Sequence, residues 1–485
     1  RVCIFDNDPS VTMRCILVGA ALLAAASAAA SASGPALGAS AAFAPINGPL
    51  PSLRKGASLL RGASQQRAQV AMCAPLDKRA ERRRIVSNPK FNRLGFKDSK
   101  KEVEGIMVEE FTSDLVKELR EQSYVIEREG VTVKLAKSFG FCWGVERAVA
   151  MAYEARTFYK EDKIHITNEI IHNPGVNNRL REMGINFINP DTATGVKDFS
   201  VVGEGDVVVL PAFGASLEEM QLLDAKGVRI VDTTCPWVSK VWNAVDTHKK
   251  KDMTSVIHGK YGHEESIATA SFAEDYILVK DMKEAEMVAD YILNGGDKAA
   301  FMAKFSKAVS KGFDPDVHLK KVGIANQTTM YKEETAAIAK LFERTMLKKF
   351  GPEKVNEHFM ALDTICDATQ ERQDAIIELL EDKSLDFVLV VGGWDSSNTG
   401  HLLEIAHMKN VQGYHIDMAD RIQADGSIKH QLVDGTVEVT KNFLPKGKIT
   451  IGVTSGASTP DAYMQDAIER IVMLKALETA EAASA

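Results

Sequence analysis

Three cysteines of this chain share one setting. Cys142 in GFCWGVERA, Cys235 in DTTCPWVSK and Cys366 in DTICDATQERQ each follow a short β-like run and stand in a turn ahead of a helical pattern. Glu146 signals the first helix, Pro236 the second, and Gln370 with Glu371 the third. Asp232 to Cys235 and Asp363 to Cys366 repeat the pattern Asp-Thr-x-Cys, so three similar units converging on one centre is the simplest geometry. A thiolate at a helix N-terminus is favoured by the helix dipole and by free N–H groups, which makes these sensible ligand positions. Taken singly, each could be a buried cysteine acting as a small hydrophobe; the matched settings favour ligands. A cubane 4Fe-4S cluster normally takes four cysteines. Held by three, it keeps one iron open to a substrate oxygen, so that an electron carrier becomes a Lewis acid that also delivers electrons.

The elements that must position these cysteines are α/β units. From about residue 131, runs such as VTVKLA, VVVLPAF, VRIVD, SVIHG, YILVK, KVGIA, FVLVVGG and ITIGVT alternate with helical stretches such as VERAVAMAYEARTFY and AYMQDAIERIVMLKAL. That alternation predicts parallel strands covered by helices, with ligands at the carboxyl ends of the strands. The lysine-rich stretch between Asp290 and Val322 reads as a surface elaboration without chemistry (residues 291–321). Residues 76–130 read as an ordered extension that packs on the main domain, with Leu115, Val116 and Leu119 at helical spacing. The expected units are 143–235, 236–365 and 367–475, with 476–485 as a tail.

With 485 residues, 45% of them hydrophobic, the chain can bury a large core. A net charge of -7 gives no electrostatic footprint for nucleic acid. Six cysteines are too few and too scattered for a disulfide framework, and no C-x-x-C pair provides a zinc-knuckle or thioredoxin signature. Cys3, Cys15 and Cys73 lie in a front segment that reads as an address. From Met13, Arg14 leads into CILVGAALLAAASAAA and then small residues, the layout of a secretory signal; a spanning helix wants about 20 apolar residues. ASAAFAP follows, with Phe43 between alanines, then a Ser, Arg and Lys stretch without an acidic residue, the composition of a transit peptide. Residues 1–75 are therefore expected to be a two-part presequence of the kind that leads into a complex plastid, leaving no membrane segment in the mature form.

The strings FGFCWGVERA, TNEIIHNP, DTTCPWVSKV, HGKYGHEES, NQTT, DTICDATQERQ, GGWDSSNTGHL and VTSGASTPD stand in this order across residues 131–475. In this the chain resembles the 4-hydroxy-3-methylbut-2-enyl diphosphate reductases of plastids and cyanobacteria, and Phe91 to Glu121 resembles the plant-type extension. The resemblance implies three α/β units in a pseudo-threefold arrangement around one iron–sulfur cluster. The reaction it implies is reductive removal of a hydroxyl from a small diphosphate, the last step of the non-mevalonate isoprenoid pathway. Position by position, it makes Cys142, Cys235 and Cys366 the cluster ligands and His172 a diphosphate ligand. His263 stands beside the reacting end, Glu265 supplies the proton, and Thr328 orders that proton network. Ser396, Ser397, Asn398 and Ser458 form the diphosphate cradle.

These residue types also make sense unaided. WDSSN and TSGAST are hydroxyl-rich, Gly-flanked turns ahead of helices, where backbone N–H groups add to an anion site. In isolation they would be ordinary helix caps, Glu265 a helix-start carboxylate, His263 a surface histidine and Thr328 a turn residue. A departing hydroxyl must be protonated, which favours a positioned carboxylic acid. One departure stands out: where bacterial members carry a further histidine in Ala-His-Gly, this chain has Ala212, Phe213 and Gly214, the plant-type form. His258 and His401 lie near motifs without matching a family ligand. With no G-x-G-x-x-G nucleotide fingerprint, electrons are expected one at a time from a protein donor, and the resemblance implies a ferredoxin-type one. Two rivals have less support: a non-enzymatic iron–sulfur sensor or carrier does not need the polar cradle, and a metal hydrolase using His172 and His263 lacks a close-spaced ligand pair.

Overall fold

VVVL (Val207–Leu210) and FVLVV (Phe387–Val391) are buried at every position, the continuous apolar pattern of strands covered on both faces. In the computed structural model, which describes residues 77–192 and 194–484, such strands form three sheets. The presequence expected at residues 1–75 lies outside the described residues, apart from which all elements belong to a unit beginning at Lys78.

The first sheet runs Phe91–Asn92, Arg229–Asp232, Val207–Leu210, Ile164–Ile166, Ile185–Phe187 and is parallel throughout. The second, also parallel, runs Phe359–Ala361, Val322–Asn326, Thr254–His258, Tyr276–Val279. The third is mixed. Its parallel centre is Gly413–Ile416, Phe387–Val391, Ile449–Ser455 and Val131–Leu135. Antiparallel strands flank it, Ile428–Gln431 with Val437–Thr440 on one side and Val125–Arg128 on the other. The expected parallel strands form its centre, and the outer hairpin adds an antiparallel edge, which can leave a face in water, as Val437–Thr440 does. The third sheet also takes a hairpin, residues 125–135, from the chain between the edge strand Phe91–Asn92 and strand Ile164–Ile166 of the first sheet, pairing Val131 with Ile449.

Each cysteine stands where the chain passes from one sheet to the next. Cys142 follows Val131–Leu135 of the third sheet, and its helix, Trp143–Phe158, buries Ala148, Val149 and Ala152 with strand residues of the first. Cys235 follows Arg229–Asp232 of the first sheet, and its helix, Pro236–Lys250, covers the second. Cys366 follows Phe359–Ala361 of the second, and its helix, Asp367–Leu379, packs Ile376 with Val388 and Val390 of the third.

The extension is built into this body. Phe91–Asn92 adds an edge strand to the first sheet. Helix Lys97–Phe111 buries Val103, Met107 and Phe111 against the Cys142 helix, where Phe96 N–H donates to buried Glu154 at 2.7 Å. Helix Asp114–Glu121 is capped by Ser113, which accepts Val116 N–H, and buries Leu115, Val116 and Leu119 as their spacing predicts. At the other end, helix Asp461–Ser484 runs on through most of the expected tail. Among the described residues no helix is long and apolar enough to cross a membrane.

Residues 291–321 correct the reading of a surface elaboration. Phe301, Phe305, Ala308 and Phe313 are buried in the core shared with the second sheet. Leu278 N–H donates to Ala308 O at 2.7 Å and Ser310 N–H to Tyr276 O at 3.1 Å, so the segment closes the open edge of strand Tyr276–Val279. The lysines that dominate its sequence lie on the outside and hide this apolar face. Phe305→Ala is accordingly expected to cost about 3–5 kcal/mol, as for a buried core phenylalanine. Urea unfolding checks this, since a surface substitution would change stability by about 0.5 kcal/mol at most.

Candidate active site at the meeting of three helix N-termini

Cys142, Cys235 and Cys366 are the N-cap residues of their helices, half-buried and free of disulfides. Each sulfur thus stands at the start of a helix, where the first backbone N–H groups are free. Burial pushes the Cys235 thiol up to about 11 and the Cys366 thiol up to about 12, so binding a metal there must displace protons. Gly144 lies against the second cysteine: a Cβ there would sit 2.5 Å from the Cys235 sulfur. Only glycine lets the first turn of the Cys142 helix come this close.

The three thiols line one cavity, yet among the described residues no three His, Cys, Asp or Glu side chains gather tightly enough for a single ion. Thiols that surround a space, each at a helix N-terminus, fit a polynuclear iron–sulfur cluster with three protein ligands. The same cysteines also line a second cavity of about 550 Å³ together with Trp143, Trp237 and Arg372, so they are reached from two sides.

The other residues given a role in the sequence line the first cavity: His172, His263, Glu265, Thr328, Ser396, Ser397, Asn398 and Ser458. Glu265 is 2% exposed, in the first turn of helix Glu264–Phe272. Its carboxyl accepts Thr328 N–H at 2.6 Å and the Thr328 hydroxyl at 2.9 Å. Burial outweighs these bonds and raises its pKa to about 7, so the acid carries its proton near neutrality. His263 caps the same helix, its Nδ1 accepting Glu265 N–H at 3.1 Å. Since Nδ1 accepts, the neutral ring carries its hydrogen on Nε2. Burial, followed by the His172 and Lys260 charges, lowers the His263 pKa to about 3, which keeps the ring neutral.

Across the cavity the polar groups are donors. Ser396 caps helix Ser397–Met408, whose first N–H groups face outward from the helix start. Asn398 uses its Oδ1 to accept Ala457 N–H at 2.9 Å, while its buried Nδ2 has no partner. His172 Nδ1 donates to Glu169 at 3.2 Å, so its buried, unpartnered Nε2 is a donor in the cationic form of the ring. Ser458 donates to His172 O at 3.3 Å, joining the two sides of this cradle. Gly393 permits the join: a Cβ there would lie 2.1 Å from His172 O. Buried donors without acceptors are expensive, and a bound anion would satisfy them.

Phe213 stands inside this group. Its ring stacks on His172 at 4.2 Å and meets His263 edge-on at 5.7 Å, so it fixes the two imidazoles by packing where a histidine would add a donor. His258 and His401 stay outside the cavity, His258 against Thr335 at 2.8 Å and His401 against Glu404 at 2.9 Å. Gln327 was overlooked in the sequence although it stands in NQTT. Its Oε1 accepts Lys260 N–H and the Ser266 hydroxyl, and its amide donates to Thr329 and Ser397, tying the Glu265 helix to the cradle. Arg372 was overlooked too, since an arginine in a helix ordinarily reads as a solvated charge.

A family model described as "LytB protein" matches residues 133–472. A 4-hydroxy-3-methylbut-2-enyl diphosphate reductase of Nostoc sp. (strain PCC 7120) is 56% identical over 401 residues, covering 83% of this chain and 99% of its own. One from Crocosphaera subtropica is 57% identical over 396 residues, covering 82% and 98%. The solved reductase of Plasmodium falciparum covers 70% of this chain and 86% of its own, with TM-score 0.51 and 23% identity, a likeness of fold. With more than half of the aligned residues identical across nearly the full length of such relatives, the chain belongs to the LytB protein family.

Proposed function

We infer that this chain is a 4-hydroxy-3-methylbut-2-enyl diphosphate reductase. It takes two electrons and two protons to convert the allylic alcohol into isopentenyl and dimethylallyl diphosphates and releases the hydroxyl as water. The observation that carries this reading is one cavity lined by three thiols, a buried carboxylic acid and a set of unpartnered donors. In this reading Cys142, Cys235 and Cys366 hold a 4Fe-4S cluster with one open iron. When bound, that cluster supplies electrons and Lewis acidity to the end of the substrate that bears the hydroxyl. A sensor or carrier would have no use for the cradle.

The protein's own groups do the rest. His172, Asn398, Ser396, Ser397 and Ser458 hold the diphosphate with hydroxyl, amide and imidazole donors and with the N–H groups of helix Ser397–Met408. Glu265 gives its proton to the departing hydroxyl, and Thr328, which can donate and accept, keeps the carboxyl oriented. His263 lies between the cradle and the acid and presents Nε2–H. Electrons come from a ferredoxin-type protein, and the second approach to the cysteines, past exposed Trp143 and Trp237, suits such a donor. The work is done in a plastid, a reading supported by cyanobacterial relatives and by the composition of the front segment.

Because the acid must be protonated, turnover is expected to fall as pH rises through about 7, where Glu265 ionises. Glu265→Gln is expected to keep the cluster absorption, lose roughly 100-fold or more of kcat and lose that alkaline limb; full activity would remove the proton-donor role. Cys235→Ala should purify anaerobically with iron and sulfide well below wild type, and an undisturbed cluster spectrum would sink the ligand assignment.

A further inference from the structure

Arg372 is a buried cation with no carboxylate partner among the described residues. It is 3% exposed and, among the described residues, makes no ion pair within 4.0 Å. Its guanidinium donates to Gly140 O at 2.7 Å, Phe139 O at 3.3 Å and Ala368 O at 2.8 Å, while its Nε is buried without a partner. Gly140 lies two residues before Cys142 and Ala368 two residues after Cys366, so one side chain joins two of the cysteine turns. Arg372 lines the same cavity as Cys142, Cys235 and Cys366. A charge buried this deeply is costly unless something compensates it. Three backbone carbonyls compensate part; the remaining candidates are the thiolates themselves and whatever they hold.

We propose that Arg372 supplies a fixed positive charge that makes the iron–sulfur cluster easier to reduce, while tying the Cys142 and Cys366 turns together. This rests on the reading that the three cysteines hold a cluster. A cluster held by these cysteines would gain negative charge on reduction, and a fixed guanidinium lining the same cavity would favour the reduced form over the oxidised one. Net charge and hydrogen bonds around a cluster are among the levers that set its potential. Arg372 is thus a positioning residue: it acts through the cluster and does not line the cavity that holds the diphosphate donors.

The test is an anaerobic redox titration of full-length holoprotein, followed by electron paramagnetic resonance, for wild type, Arg372→Gln and Arg372→Lys. Arg372→Gln should shift the one-electron equilibrium at least tenfold against the reduced form, a potential lower by about 59 mV. Arg372→Lys, which keeps the charge and loses the fork, should stay within about threefold of wild type. An intact cluster with unchanged potential in Arg372→Gln overturns the proposal, as does an equal shift in Arg372→Lys. If Arg372→Gln fails to hold a cluster, Arg372→Lys decides, support requiring a cluster at the wild-type potential. If neither variant holds one, Arg372 is a structural tie and the charge role is overturned. Wild type without iron absorption would instead overturn the cluster reading itself.

Discussion

Three thiols from distant parts of a chain can surround one small space only if three strand-to-helix turns are held at fixed separations, and three backbone hydrogen bonds do this here. Cys142 N–H donates to Ala457 O at 3.1 Å, Cys235 N–H to Ala212 O at 2.9 Å and Cys366 N–H to Thr328 O at 3.5 Å. Each carbonyl lies two residues beyond the end of a central parallel strand: Ile449–Ser455, Val207–Leu210 and Val322–Asn326. Each also belongs to the sheet its cysteine is leaving. The pseudo-threefold plan is therefore a repeated hydrogen bond as well as a repeated topology, and it places every cysteine at the carboxyl edge of a sheet.

The same bonds couple the cysteines to the cavity. Ala457 adjoins Ser458, Ala212 adjoins Phe213, and Thr328 itself holds Glu265. A shift of one cysteine turn would move a cradle hydroxyl, the ring that packs His172, or the acid. Burial then sets the protonation states: Glu265 holds its proton up to about 7, and His263 stays neutral down to about 3. Desolvation is the main cause of both shifts, so closing water out of this space also prepares the acid. The donors opposite are left with unmet capacity, which favours an anion there.

The outer segments protect this centre. Arg93 of the extension pairs with Asp232 at 2.9 Å, three residues before Cys235, and Arg147 on the Cys142 helix donates to Thr233 O, Thr234 O and Arg93 O. The extension thus holds the Asp-Thr-Thr-Cys turn from outside. Residues 291–321 do the corresponding work at the edge of the second sheet. Neither role can be read from local pattern, because each depends on a partner more than twenty residues away or on apolar residues diluted among lysines.

The sequence by itself determined the long apolar strands, the helices that follow each cysteine, and the residue types around the cavity. These are local matters: burial pattern, helix-start chemistry and turn composition. It did not show the short strands Ile164–Ile166, Ile185–Phe187 and Phe359–Ala361, since three residues carry no period, nor the antiparallel edge of the third sheet. Tertiary structure alone decided that each cysteine hands the chain from one sheet to the next, that Phe213 packs against His172, and that Gln327 and Arg372 join elements far apart in sequence. Those contacts follow from how three sheets meet, and no window of sequence contains the distance between two sheets.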